Sequence, residues 1–304
     1  MATLAPIPPR QHDIVRGIAL RCAMVLCYAV MTAFMKAASA DDVGAFEMLF
    51  YRSTLGMPVI LAWLLIGPGI GVIRTTRPLA HLGRSTVGLF GILTNFNALI
   101  LLPLATASTI GFSAPIFATI LSALLLSERV GPHRWAAVLI GFLGIAVIMQ
   151  PGGTGVSHVG MAFALCAALG NAGVNVTIRQ LGGTEHPGAI VFWFFICSTV
   201  VATIAMPFVG HWHSWTVMAL LLGGAIAGAV MQLLMTMSLS AAPVSAIAPF
   251  DYTQIVWALL FDWLIWSEAP TWTVLVGAAL IVASGLYTGV REHRLRKQAV
   301  AVID

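Results

Sequence analysis

The sequence predicts an all-α integral membrane protein with ten transmembrane helices, arranged as two inverted repeats of five. Three observations support this fold class. First, 59% of the 304 residues are hydrophobic and only 9% are charged, whereas soluble domains carry about 25% charged residues. Second, ten apolar segments are long enough to span a bilayer. Third, the two halves of the chain resemble each other at an offset of about 140 residues.

The composition excludes several classes of protein. A chain of this length with so few charges could not cover a water-exposed surface, which excludes a soluble enzyme, a nucleic-acid binder and a disordered chain. The sequence pI of about 9.1 does not indicate nucleic-acid binding, because the basic residues lie in the predicted loops. The cysteines lie in apolar stretches without a CxxC spacing, so we expect small buried side chains rather than a metal or redox site.

The predicted spans follow from the length rule of about 20 mostly apolar residues per transmembrane helix. In chain order they cover residues 17–38, 45–66, 84–102, 105–126, 133–150, 159–180, 188–209, 215–239, 243–266 and 271–290. Glycine and proline separate them, for example at 67–69, 103, 132, 151–153 and 270. The first span is longer than a signal-peptide core and Lys36 abuts its only cleavage-like run, so we expect it to be retained.

The basic residues predict the orientation of the spans. If the N-terminus is cytoplasmic, 13 of the 15 lysines and arginines fall on the cytoplasmic side. Lys36 alone falls outside, and Arg52 lies within the second span. By the positive-inside rule, both termini are therefore expected in the cytoplasm.

An internal repeat divides the chain into two predicted domains, 1–150 with helices 1–5 and 151–304 with helices 6–10 and a short basic tail. The stretch 17–36 matches 160–179, because each begins with glycine, continues as an apolar run and ends with a base. The Ser-Glu pair at 127–128 matches the pair at 267–268, and Pro103 matches Pro243. Since each half has an odd number of spans, the halves must have opposite orientations, as in secondary transporters.

These motifs resemble those of a known family. Residues 102–107 read Leu-Pro-Leu-Ala-Thr-Ala and lead through Ala-Pro-Ile at 114–116 to Leu-Ser-Glu-Arg at 126–129. Residues 248–254 read Ala-Pro-Phe-Asp-Tyr-Thr-Gln and lead to Ser-Glu-Ala-Pro at 267–270. The whole chain is similar to two EamA units of the drug/metabolite transporter superfamily, and most similar to the branch of S-adenosylmethionine-uptake-like carriers. Relatives often carry a basic or amide residue at position 251, and Asp251 argues against an anionic substrate.

Polar side chains inside apolar spans indicate the expected substrate cavity, because burying them costs free energy unless they meet partners or water. Tyr28 and Thr32 share one face of span 1, and Asn171 and Asn175 occupy the matching positions of span 6. We expect all four to face a shared central space, the alternative being hydrogen bonds between helices. The other substrate-binding candidates are Asn95, Phe112, Gln232, Tyr252 and Gln254. Asn97 lies two residues from Asn95, so only one of this pair is expected to face the cavity.

Glu47 and Arg52 on span 2 are candidates for coupling or gating. They lie five residues apart and therefore point about 140° apart, which is not a convenient pair within one helix. Glu47 lies in the first turn, where the alternative is a rim charge favoured by the helix dipole. Arg52 lies about two turns in from the outer end of the span, where the alternative is a structural clamp on carbonyl groups or on a carboxylate of a neighbouring helix.

Asp251 is the third candidate for coupling or gating. It follows Pro249, which cannot donate a backbone hydrogen bond and therefore favours a local kink. An isolated carboxylate at this depth would act as a counter-ion for a cationic or amine-bearing substrate, or as a proton carrier. The alternative is an ion pair with a base such as Arg21, Arg52 or Arg84. Asp262 lies on the same helix face, nearer the outer end, where we expect a vestibule or packing carboxylate.

Together these features predict a secondary transporter of the bacterial inner membrane for a small polar or amphipathic metabolite. The resemblance implies amino acids, amines or nucleoside-like and cofactor-like compounds as substrates, without fixing the direction of transport. The alternative is an integral membrane enzyme acting on a lipid-soluble substrate, but paired acids and a nucleotide-binding loop are missing from the inner loops. We expect no cofactor, no nucleic acid and no metal, since His211 and His213 alone do not make a metal site. A coupled proton, an exchanged solute and a homodimer are left open.

Overall fold

The structure is a computed structural model that describes residues 14–114, 116–117, 120, 132–149, 157–182, 184–242 and 247–301. Within these ranges the chain forms α-helices and two short 3-10 helices, and no β-strand. The α-helices are α1 (Ile14–Ser39), α2 (Ala45–Ile66), α3 (Pro78–Leu101), α4 (Leu104–Gly111), α5 (Pro132–Met149), α6 (His158–Gly182), α7 (Pro187–Val209), α8 (Trp215–Ala241), α9 (Thr253–Trp266) and α10 (Trp272–Ala301). The 3-10 helices are Ile70–Ile73 and Ala248–Tyr252.

Each predicted span overlaps one of these helices, and the second span coincides with α2 at both ends. The fourth span is represented by α4, and most of its remainder falls outside the described residues, together with the Leu-Ser-Glu-Arg motif at 126–129. The ninth span is interrupted as Pro249 predicts, because the chain forms a 3-10 helix at Ala248–Tyr252 before α9 begins. The basic tail continues α10 as far as Ala301.

The described helices suit a bilayer in length and surface. Five of them contain segments long and apolar enough to cross a membrane, namely α1, α2, α6, α7 and α8. Shorter apolar stretches lie in α5 at Trp135–Ile148 and in α10 at Trp272–Tyr287. Large apolar side chains such as Leu139, Ile204 and Trp263 are exposed on the outside of the bundle, as expected where lipid replaces water. The chain is thus an all-α integral membrane protein.

Contacts between helix ends define two faces of the molecule. On the face where α1 begins, here called the N-terminal face, Gly17 of α1 packs against Ala242 and Gly188 of α7 packs against Leu64 of α2. On the opposite face, Lys36 at the end of α1 donates to the carbonyl of Leu102 at the end of α3, over 2.8 Å. Successive helices therefore run in alternating directions.

The helix contacts occur in pairs related by an inverted pseudo-two-fold axis. The contact of α1 with α8 corresponds to that of α6 with α3, and the contact of α9 with α1 corresponds to that of α4 with α6. The contacts of α2 with α7, of α4 with α9 and of α5 with α10 each join equivalent helices of the two halves. This pattern is that of two inverted five-helix repeats.

Small residues allow the closest helix approaches. A Cβ atom at Gly170 of α6 would lie 2.5 Å from the Cα atom of Gly91 on α3, so only glycine fits at this crossing. In the symmetric contact, Cβ atoms at Gly224 and Gly228 of α8 would meet the side chains of Met35 and Met31 within 2.8 Å. The Gly-x-x-x-Gly spacing of α8 thus serves packing within the molecule.

Candidate functional site

A polar cluster lies between α1, α3, α4 and α9. The Tyr28 side chain, near the middle of α1, interacts with those of Asn95 on α3 and Gln254 on α9. The Gln254 amide also approaches the Ser108 hydroxyl of α4, with Nε2 and Oγ 3.4 Å apart. Three predicted cavity residues are therefore brought together, and both repeats contribute. Ser108 was missed by the sequence analysis, because serine is small and frequent in membrane helices and stands out less than an amide or a phenol.

Some predicted residues are engaged within their own helices. The Thr32 hydroxyl is buried and donates to the carbonyls of Tyr28 and Ala29, over 3.0 and 2.9 Å. The Asn97 amide donates to the Leu93 carbonyl over 2.8 Å. Of the two neighbouring asparagines, Asn95 is therefore the one that joins the cluster.

Asn171, on the matching face of α6, does not join the cluster in this conformation. Asn171 is exposed and makes no polar contact with the cluster in the part of the chain that the structure describes. The Asn175 side chain lies outside the described residues. Gln232 is buried on α8, where its backbone carbonyl accepts a hydrogen bond from the Thr236 hydroxyl over 3.0 Å.

The two predicted cavity aromatics form a pair across the repeats. The rings of Phe112, at the end of α4, and Tyr252, before α9, have centroids 5.1 Å apart. The Tyr252 hydroxyl occupies the space that a side chain at Gly285 of α10 would fill. Gly285 therefore makes room for this ring.

Asp251 is not isolated in this conformation. The Arg21 guanidinium of α1 donates to both carboxylate oxygens, with Nε and Nη2 at 2.5 and 2.6 Å. Arg21 was one of the three partners considered as the alternative. Because the pair neutralises both charges, Asp251 is not available as a free counter-ion in this conformation.

Asp262 is a cap for α4 rather than a vestibule carboxylate. It is buried, and it accepts from the backbone amides of Leu104 and Ala105 over 3.0 and 2.6 Å. These are the first two residues of α4, whose amides have no partner inside the helix. The sequence did not predict this role, since the acid and the helix lie more than 150 residues apart.

Glu47 is buried on the opposite face and binds three groups. It accepts from the amides of Gly44 and His211 over 3.0 and 2.8 Å, and it lies 2.9 Å from the Nε2 atom of His213. The start of α2 is thereby fastened to the loop between α7 and α8. The two histidines thus bind Glu47, and no cluster of three metal-ligating side chains occurs among the described residues.

Glu185 has the equivalent role on the N-terminal face, and the sequence analysis missed it. It precedes α7, accepts from the Thr75 hydroxyl over 2.9 Å and lies 3.3 Å from Nε2 of His81 on α3. Burial raises the pKa of Glu185, but the contacts with Thr75 and His81 outweigh it and hold the pKa below its usual value. Since α2 and α7 are equivalent helices, the two glutamates form a pseudo-symmetric pair.

Two arginines, one on α2 and one on α3, are buried against α7. Arg52 of α2 lies with its guanidinium carbon 5.4 Å from the ring centroid of Phe195, and Arg84 of α3 lies 4.2 Å from that of Phe194. Both phenylalanines belong to α7. The Arg52 Nε donates to the Met31 sulfur over 3.5 Å, and among the described residues no carboxylate forms an ion pair with Arg52.

A cavity of about 350 Å³ opens at the N-terminal face. Residues of α1, α2, α7 and α8 and of the segments beside them line it, among them Arg16, Trp63, His186 and Thr236. Both repeats therefore contribute to this vestibule, which is hereafter called the N-terminal vestibule.

Comparison with known proteins places this arrangement in a family. The EamA-like transporter family matches the chain at residues 15–150 and again at 158–289. The pseudopaline exporter CntI of Pseudomonas aeruginosa is 31% identical over 88% of this chain and 94% of its own length. The riboflavin transporter of Rhizobium johnstonii is 30% identical over 76% of each chain. The S-adenosylmethionine uptake transporter of Rickettsia bellii is 26% identical over 80% of this chain and 83% of its own.

A solved structure supports the fold independently. A crystal structure of a protein superposes on this chain with a TM-score of 0.61 and 20% sequence identity. The superposition covers 90% of this chain and 98% of the other. At this identity the likeness shows a common fold.

Proposed function

Because this chain belongs to the EamA-like transporter family, we propose that it is a secondary transporter of the bacterial inner membrane that works by alternating access. It is a multi-pass membrane transporter of a small molecule and not an enzyme, as its family and its relatives show. The proposed repeats are residues 1–150 and 151–304. Relatives are named for pseudopaline, riboflavin and S-adenosylmethionine, which supports a polar or amphipathic metabolite as substrate.

The pairing of helix contacts across the inverted pseudo-two-fold axis is the observation that carries this mechanism. In such a molecule the contacts of one repeat at one face can be exchanged for the equivalent contacts of the other repeat at the other face. The polar cluster of Tyr28, Asn95, Ser108 and Gln254 lies between helices of both repeats. A substrate held there would be reached from either side in turn.

The proposed orientation places the N-terminal face in the cytoplasm. The distribution of 13 of 15 basic residues supports it. The N-terminal vestibule then opens to the cytoplasm, while Glu47 and its histidine partners hold the external face together. We assign the described conformation to the inward-facing state on this basis.

Glu47, Arg52 and Asp251 are the proposed coupling or gating residues. The Glu47 contact with His213 would have to break for the external face to open, because it joins α2 to the loop before α8. The Arg21–Asp251 pair joins α1 to the turn before α9 at the other end of the pathway. Arg52 lies on α2, deeper in the membrane than Glu47.

Transport can be tested with the purified protein in lipid vesicles. Thermal-shift screening of amino acids, amines, riboflavin and S-adenosylmethionine would first identify a ligand, since ligands that bind the native state raise its stability. The radiolabelled ligand should then accumulate or exchange across the vesicle membrane and be recovered unmodified. A chemically altered product would favour the enzyme alternative and contradict the proposal.

The role of Asp251 can be tested by Asp251→Asn at matched expression. We expect the transport rate or its pH dependence to change, because the variant leaves the Arg21 charge without its partner. Asp41→Asn, at an exposed turn after α1, is the matched control and should behave as the wild type. If rate, affinity and pH profile of the Asp251 variant all match the wild type, Asp251 has no part in coupling or gating.

A further inference from the structure

Arg52 and Arg84 are two positive charges enclosed by protein. Their exposed fractions are 2% and 3%. Their guanidinium groups face two adjacent rings, Phe195 and Phe194, whose centroids are 6.2 Å apart. Both rings belong to α7, and the positive charge of Arg52 acts unfavourably on that of Arg84.

Neither guanidinium has an acidic partner among the described residues. Arg52 Nη1 and Arg84 Nε and Nη1 are buried and make no hydrogen bond there. The buried acids of the described chain are used elsewhere: Glu47 and Glu185 by histidines, Asp262 by the start of α4. A stacked aromatic ring stabilises a cation only in part, and a buried charge without a partner destabilises the fold.

Three buried hydroxyl groups on the same helices as these side chains also lack partners. Ser53 follows Arg52, Ser85 follows Arg84, and Ser198 lies one helical turn from Phe194 on α7. All three side chains are buried, and their Oγ atoms have no hydrogen-bond partner within the described ranges. The three helices that carry these hydroxyls pack against one another, and buried cations without acceptors are groups that an oxyanion would satisfy.

We propose that Arg52 and Arg84 form a binding site for an oxyanion, the carboxylate or phosphate group of the transported metabolite. The planar guanidinium suits this ligand, because its parallel N–H groups bind two oxygens of one anion at once. The charge of Arg52 also interacts electrostatically with the Tyr28 side chain, so the site lies near the polar cluster. The inference rests on the proposed transport function and names the substrate class.

The surroundings of Arg52 and the pairing of Asp251 support this assignment. Arg52 is enclosed by Met31 of α1, Phe195 of α7 and Gly228 of α8, and these helices together with α2 also line the N-terminal vestibule. Asp251, which suggested a cationic substrate from sequence, is neutralised by Arg21. Within the described residues, Arg52 and Arg84 are therefore the two buried arginines that no carboxylate neutralises.

The site can be tested by thermal unfolding of the purified protein in detergent, with sodium succinate as the carboxylate probe and sodium phosphate as the phosphate probe. Ionic strength is matched with sodium chloride. We expect one of the two probes to raise the melting temperature saturably in the wild type. In Arg52→Gln and Arg84→Gln the apparent Kd should rise by about tenfold or more, and in Arg52→Lys by less. Arg74→Gln, at an exposed loop position, is the control and should bind as the wild type.

The melting temperature without a probe separates this site from a structural clamp. If the arginines bind an anion and do not clamp the fold, Gln at either position removes a repulsive charge, and the melting temperature without a probe should stay equal or rise. A clear fall in both variants, an equal response of wild type and variants to the probes, or no response of the wild type would each overturn the proposal. Should a Gln variant fail to fold, unchanged binding by Arg52→Lys and Arg84→Lys would also overturn it.

The experiment distinguishes the site from the proposed function. Transport of a neutral metabolite with no probe binding would contradict the site and leave the transporter proposal standing. Loss of probe binding in the Gln variants, with no vesicle transport of any screened ligand, would support the site and contradict the transporter proposal.

Discussion

Single residues fasten the two repeats to each other at both faces. Glu47 starts α2 and binds His213 of the second repeat, whereas Glu185 precedes α7 and binds His81 of the first repeat. Both carboxylates are buried. Any movement that opens one face must exchange such a contact for water, so these two residues set part of the free-energy cost of opening.

For Glu185 the expected effect depends on pH. Glu185→Gln should lower the free energy of unfolding at pH 7 by about 1–3 kcal/mol, because it removes a charged acceptor from Thr75 and His81. The native pKa lies below the usual value, so the carboxylate stabilises the fold above pH about 4.3 and this contribution is lost as the pH falls through the native pKa. Unfolding in detergent between pH 3 and 7 measures both effects.

The control for Glu185 is Glu268→Gln, an exposed position near the end of α9. It should leave the unfolding curves at every pH close to those of the wild type. Stability curves of the wild type and Glu185→Gln that run parallel through the acidic range would contradict the assigned role.

For Glu47 we expect a measurable coupling with His213. In a double-mutant cycle of Glu47→Gln and His213→Ala, the two single changes should not add, and the interaction energy should be about 1–3 kcal/mol. The reason is that both changes break the same 2.9 Å contact. Unfolding free energies of the four proteins measure this, with His158→Ala, an exposed residue at the start of α6, as the uncoupled partner. Strict additivity with His213→Ala would refute the contact.

Whole elements are held together by close backbone approaches and by caps from distant helices. The crossing of α3 and α6 depends on Gly91 and Gly170, and the short helix α4 depends on the Asp262 carboxylate of α9. A helix of eight residues is not stable alone in solution. Its position at the polar cluster is therefore set by packing and by this cap.

At the α3–α6 crossing, Gly170→Ala should destabilise the protein by about 1–3 kcal/mol. The new Cβ atom would lie 2.5 Å from the backbone of Gly91, so the helices must move apart. Thermal or denaturant unfolding in detergent measures the loss. Gly111→Ala is the matched control, because a Cβ atom there meets nothing within 4 Å. Equal stability of the Gly170 and Gly111 variants would show that the crossing tolerates a side chain.

For the molecule as a whole, the proposed topology makes a direct prediction. A reporter fused after residue 151 should lie on the external side, and one fused after residue 297 should lie in the cytoplasm. The reason is that 13 of the 15 basic residues fall on the cytoplasmic side of this topology. Fusions with a reporter active only in the cytoplasm and one active only outside it measure both positions. The reverse pattern would contradict both the orientation and the inward-facing assignment.

The sequence predicts the spans and the repeat well, because length, apolar content and breakers are local properties. It also identifies Tyr28, Asn95 and Gln254, since polar residues stand out within apolar segments. The contacts between charged side chains of different helices could not be predicted in this way. Arg21 and Asp251 are 230 positions apart and Glu47 and His213 are 166 apart, and no local pattern specifies which charged groups meet when helices pack.

The pair of Arg21 and Asp251 also breaks the symmetry between the repeats. At the repeat offsets of 143 and 140 residues, its counterparts are Ala164 and Gly111, which carry no charge. Two identical inverted halves would populate the inward-open and outward-open states equally, so the resting state is set by residues without a symmetric copy. Each 1.4 kcal/mol that this ion pair contributes to one state alone shifts the ratio of the two populations about tenfold. The pair can thus determine which of two otherwise equally populated states predominates.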